Sequence, residues 1–117
     1  MMNTGIKFKQ RDIVIMPVVY SDLKKVKRRP VLVLSNQEYN KKSEDFICCS
    51  ITSNLESIDY SVKIDSFDLE EGTLNRESIV KSNKIYTLKQ SLAFKKIGVL
   101  NSIRTKKVFE TLNKILE

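Results

Sequence analysis

Arg11 to Asn40 reads RDIVIMPVVYSDLKKVKRRPVLVLSNQEYN, two β-branched apolar runs on either side of a polar, basic stretch. Asp12 to Val19 has the composition of a strand. Pro17 within it offers no N–H to a ladder, which points to an edge strand or a bulge. Tyr20 to Arg29 reads as a loop. Pro30 then opens VLVLSN, whose unbroken apolar character is that of a strand covered on both faces. Proline is tolerated at the first residue of a strand.

Further along, residues 36–45 form a polar connection with room for one helical turn, and Phe46 to Ser53 is the next strand. Ile58, Tyr60, Val62 and Ile64 alternate with Asp59, Ser61 and Lys63, the pattern of a half-buried strand. SFDLEEGTLNRE (66–77) is loop-like, punctuated by Gly72, and carries the acidic cluster of the chain. Ser78 to Leu88 reads as a strand pair or one bent strand, and Phe94 to Leu100 as the last strand, bent at Gly98. In the tail, Val108, Phe109, Leu112, Ile115 and Leu116 recur at helical spacing. Asn101 or Ser102 caps that helix, and Lys114 suits the negative end of its dipole. Many short strands followed by one amphipathic helix predict a small β-barrel, a single domain over 1–117, with the helix across the barrel or at a dimer interface. Periodicity does not choose between SH3-like and OB-like barrels.

Lys plus Arg number 21 against 14 Asp plus Glu, a net charge of +7 that suits polyanions or an acidic partner and equally suits mere solubility. No apolar run approaches the ~20 residues of a spanning helix, so no membrane role is expected. The opening MMNTGIKFKQRD lacks an apolar leader core, so no secretory signal is expected. Cys48 and Cys49 are adjacent; on a strand they face opposite ways and cannot bridge each other. Without histidine there is no ordinary zinc ligand set, and the usual base near neutral pH is missing. The expectation is a reducing cytoplasm, no cofactor and no metal. Any hydrolytic chemistry falls to Arg, Lys, Tyr, Ser, Thr or carboxylates.

The stretch from Arg11 to Asn40 resembles the opening of the MazF/PemK-family toxins. There an Asp-Ile/Leu-Val strand and a polar loop lead to an Arg-Pro dipeptide and a Val/Leu/Ala strand, here Arg29–Pro30 and Val31–Leu34. Ile51–Thr52–Ser53 is similar to the family's second signature. Ser78–Ile79–Val80 with Ile85–Tyr86–Thr87 is similar to the third, and Ile97–Gly98–Val99–Leu100 plus a helix to its ending. The pieces run from about residue 11 to 116 in the family's order.

The resemblance implies the SH3-like barrel of MazF/CcdB-like plasmid maintenance toxins, acting as a homodimer. It implies the toxin of a type II toxin–antitoxin system, a metal-independent endoribonuclease that cuts single-stranded mRNA at a short sequence and so stops translation and growth. It also implies a cognate antitoxin whose acidic, disordered tail fills the RNA groove.

On this resemblance Arg29 and Thr52 are the catalytic residues. A guanidinium forks onto phosphate, and oriented donors stabilise the charge that builds as the ribose 2′-oxygen attacks. The Thr52 hydroxyl donates to a phosphate oxygen or holds the 2′-OH, and Ser53 supplies a second hydroxyl. The expected products are a 2′,3′-cyclic phosphate and a 5′-hydroxyl, and DNA, lacking the nucleophile, is spared. Lys25, Lys27 and Arg28, with Lys24, form a phosphate track, although such a run read alone is equally a solvated loop. Tyr20 and Tyr86 offer rings for base stacking. Lys81 and Asn83 stand where other members carry Arg and Asp, so Lys81 stabilises charge while the base is unassigned. Two other readings stay open: a barrel that binds RNA without cutting it, and a related toxin that poisons a topoisomerase.

Overall fold

Alternation of side chains along a strand explains how the run after Arg11 serves two cores at once. In the computed structural model, which describes residues 7–19, 25–56 and 59–117, β1 spans Asp12–Val19 and β2 spans Val26–Val33. They are followed by α1 (Gln37–Lys42), β3 (Asp45–Thr52), β4 (Ser61–Ile64), β5 (Leu69–Gly72), β6 (Ser78–Lys89), β7 (Lys95–Leu100) and α2 (Ser102–Leu116). The strands form one antiparallel seven-stranded sheet in the order β4-β6-β3-β2-β1-β7-β5. Ile13, Leu32, Cys49, Ile51 and Val80 bury one face together with Val108 of α2. Val14, Met16, Val18, Val31, Val33, Phe46 and Cys48 bury the other. The adjacent cysteines therefore enter different cores, as alternation requires.

The barrel is open. Its edge strands β4 and β5 do not pair with each other, yet Val62 and Ile64 of β4 and Leu69 of β5 meet in the same core. The sheet thus curls around that core without closing its ladder. Both prolines sit where a missing N–H costs little. β1 pairs with β7 only over Asp12–Ile15, so Pro17 lies beyond that ladder. β2 pairs with β3 only from Val31, so Pro30 precedes that ladder. Here the structure corrects the sequence reading: Pro30 lies mid-strand, paired with Ile15, and β2 begins at Val26 inside the expected loop. The outer halves of β1 and β2 are a two-stranded ribbon held together by pairing from Met16↔Arg29 to Val19↔Val26.

Two further expectations shift, and for Ser78–Leu88 one of the two readings holds. Tyr60 does not share the face of Val62 and Ile64; it is exposed, with a left-handed φ of 55°, just before β4, and Ile58 lies outside the described residues. The acidic loop contains β5, a short strand whose Gly72 (φ 83°) packs so close to β7 that a Cβ would collide with the Ile97 carbonyl. Ser78–Lys89 is one strand, bent where its register against β3 jumps between Cys49↔Ile85 and Ser50↔Lys81. β7 is likewise irregular near Gly98, the register with β1 shifting between Ile13 and Val14.

Of the two cap candidates Asn101 acts, its side chain accepting the Arg104 N–H at 2.8 Å. Val108, Phe109 and Leu112 of α2 pack on the first core. Ile115 and Leu116 lie outside it, Leu116 being 72% exposed. No helix among the described residues is long and apolar enough to cross a membrane.

Candidate functional site

Where β2 leaves its ladder with β3, its next side chain on the Val31 face is Arg29. Ser50 faces Val31 across that ladder, so Thr52, two residues on, emerges on the same face as Arg29. Lys81 of β6 is the cross-strand partner of Ser50. These rows converge on a depression of about 690 Å³ lined by Arg29, Ser50, Thr52, Ser53, Lys81, Lys84 and Tyr86, among others. A second, of about 250 Å³, shares Arg29, Ile51, Thr52 and Ser53 and adds Asn75, Arg76 and Ser78. Arg29 and Thr52 thus form the divide between two hollows.

The linings carry Arg29, Lys81, Lys84 and Arg76, with no carboxylate among the described lining residues. Such a one-sign cleft concentrates a polyanion. The Thr52 hydroxyl oxygen accepts the Asn54 N–H at 3.1 Å, which orients the side chain and leaves its own proton to donate. The arrangement presents a fork-shaped cation and an oriented hydroxyl donor to one ligand.

The structure separates the remaining sequence-predicted residues. Ser53, Lys81 and Tyr86 line the larger hollow. Arg28, one residue from Arg29, takes the opposite face; its guanidinium lies 4.0 Å from the Phe94 ring centroid, away from both hollows. Lys25 and Lys27 are exposed on the outer half of β2 and its approach and line neither hollow. Asn83 is exposed on the β6 bulge outside both linings; its neighbour Lys84 lines the larger one. Tyr20 and Lys24 lie outside the described residues. Sequence reasoning missed Lys84, Arg76 and Asn54. The register jump in β6 decides which of its polar residues turns inward, and no local signal marks it.

Among the described residues no cluster of acidic or sulfur side chains could hold a metal ion. Burial pushes the Cys48 thiol up to about 12. Burial, with Cys48 beside it, pushes Cys49 up as well. Neither lines the hollows.

Residues 9–116 match the family model described as the PemK-like, MazF-like toxin of type II toxin–antitoxin systems. No curated protein sequence matches the chain. Among solved structures, the fold is similar to MazF from Deinococcus radiodurans in its Form-I crystal, at TM-score 0.78 and 19% identity over 96% of this chain and 98% of that one. It is similar to the Mycobacterium tuberculosis toxin MazF-mt6, at TM-score 0.74 and 22% identity over 91% and 96%. It is also similar to a mycobacterial endoribonuclease solved with its cognate antitoxin, at TM-score 0.71 and 16% identity over 92% and 93%. At these identities the structures establish the fold.

Proposed function

The chain belongs to the PemK-like, MazF-like toxins of type II toxin–antitoxin systems, and from that premise we propose that it is an endoribonuclease that cuts single-stranded RNA at the Arg29–Thr52 divide. The observation that carries this reading is the convergence of that guanidinium and hydroxyl in one cationic cleft.

RNA enters along the hollows with its scissile phosphate at Arg29 and Thr52. The 2′-oxygen attacks phosphorus in line, its proton passing to cleft water. Arg29 and the Thr52 hydroxyl stabilise the charge on the non-bridging oxygens. The bond to the 5′-oxygen breaks, and that oxygen takes up a proton from water. The products are a 2′,3′-cyclic phosphate and a 5′-hydroxyl, with no water consumed. With no carboxylate in the described linings, rate comes from positioning and charge stabilisation, which makes the enzyme slow. The same absence favours, as a second reading, a barrel that binds RNA without cutting it.

The cationic cleft also suits the acidic segment of a cognate antitoxin, which would block RNA. An apolar groove lined by Leu34, Ile47, Ile85, Phe109, Leu112 and Leu116 supports a homodimer in which a second copy covers the exposed end of α2.

The test is incubation of purified protein with mixed single-stranded RNA in EDTA. Cleavage to cyclic-phosphate ends that is lost in Arg29→Ala and Thr52→Ala supports the nuclease. Retention of RNA without cleavage supports the binding module. Undiminished cleavage by both variants would remove the site from this cleft.

A further inference from the structure

The hollow beside Arg76 does not end there. A third depression, about 430 Å³, shares Ile15, Asn75 and Ile97 with it and is lined also by Lys95 and Lys96. A fourth, about 710 Å³, shares Lys95 and Lys96 with the third and adds Lys7, Lys9, Phe8 and Phe94. Neighbouring hollows thus share lining residues all the way from Lys84, past Arg29 and Thr52, to Phe94. The path crosses from β2 over β1 to β7, a lateral span of about 10 Å at two strand spacings.

Its far end is a rigid, built surface. Phe94 donates its N–H to the Ile15 carbonyl at 2.8 Å. Behind it, buried Gln90 accepts the Phe8 N–H at 2.9 Å and donates to the Asn40 carbonyl at 2.9 Å, tying the 90–92 turn to the start of the chain and to α1. Yet Phe94 itself is 54% exposed, with the Arg28 guanidinium 4.0 Å from its centroid and the Lys95 ammonium at 5.9 Å. Core packing does not use this ring. The one carboxylate among the described lining residues, Asp12, is held by Lys96 at 3.3 Å, leaving the surface positive.

An exposed aromatic and a guanidinium plane amid lysines make a surface on which bases stack while phosphates meet cations. We infer that Phe94 and Arg28, with Lys95, form a second single-stranded RNA subsite that holds nucleotides flanking the cut, at the far end of the groove from Lys84. An acidic peptide would use the lysines but has no use for a stacked ring. The inference rests on the RNA-cutting reading of the cleft and extends it, giving Arg28 a place that the scissile site does not.

The probe is fluorescein-labelled 2′-fluoro RNA of mixed sequence, which lacks the nucleophile and stays intact. Oligomers of about 2 and about 16 nucleotides occupy one subsite and several. Fluorescence anisotropy should show Phe94→Ala weakening the long oligomer roughly tenfold and leaving the short one unchanged, with Phe94→Tyr restoring binding. Lys95→Gln should lower the salt slope for the long oligomer by about 0.7. Circular dichroism melting confirms that each variant folds. Unchanged affinity of the long oligomer in folded Phe94→Ala overturns the subsite while leaving the cleft intact. Loss of polyglutamate binding in Lys95→Gln, with RNA affinity unchanged in both variants, assigns the surface to an acidic peptide and also overturns it. If the unmodified protein binds neither RNA length, the cleft reading falls as well.

Discussion

The two halves of β2 obey opposite rules although they are one strand. Val31–Val33 lies between β1 and β3 and is buried on both faces, alternate side chains entering the two cores. Val26–Arg29 has β1 on one side only and is exposed throughout. The inner half is constrained by packing and the outer half by what it presents. The change comes at Pro30, the last position without a β3 partner. β3 shows a milder form of this: past Ser50 it has no β2 partner, and half-buried Thr52 follows Ile51, its last buried residue. Chemistry placed at such an exit keeps the backbone precision of a sheet and the accessibility of a loop.

That contrast is testable by substitution. Leu32→Ala, in the inner half, should cost about 2–5 kcal/mol in urea unfolding, because a fully buried side chain leaves a cavity. A cost under about 1 kcal/mol would show that the inner half is not the packed element described. Arg29→Ala, three residues away in the outer half, should do the reverse: about 10²–10³-fold loss of RNA cleavage rate with unfolding free energy within about 0.5 kcal/mol. A matched loss of stability would make Arg29 structural.

The cysteines probe the inner half of β3. Iodoacetamide at pH 8 should leave both thiols unmodified in folded protein and alkylate both in urea, read by mass spectrometry. The sign of the linkage follows from the raised Cys48 value. An unfolded thiol ionises near 9.0 while the folded one resists to about 12, so its contribution to stability is complete below 9 and lost as pH rises toward 12. Native-state alkylation at pH 8 would place the thiols nearer solvent than the core.

The smallest effect belongs to Ser82, which sits buried in the β6 bulge, its hydroxyl without a hydrogen-bond partner among the described residues. Ser82→Ala should leave stability unchanged or raise it by up to about 1 kcal/mol. A loss of more than that by thermal melting would mean the hydroxyl has a partner that matters.

Much of this molecule was legible locally. The strand at Asp12–Val19, the helix after Asn101 and the split of Cys48 and Cys49 between faces follow from period and capping alone, since those forces act within a few residues. β5 was not legible, because a four-residue LEEG strand has no apolar period and exists through its pairing with β7. The start of β2 at Val26 was hidden for the same reason: a basic stretch becomes strand only because β1 runs alongside it.

By itself the sequence determined the class of the fold and the residue types for phosphate chemistry, since the Arg-Pro and Ile-Thr-Ser pieces are contiguous in the chain. Only the tertiary structure decided which of those residues meet. Arg28 and Arg29 differ by one position and face opposite ways, and the β6 register jump puts Lys84 in the cleft lining and leaves Asn83 out of it. Side-chain direction in a sheet has a period of two, so one step of register reverses it, and register is set by strands distant in sequence.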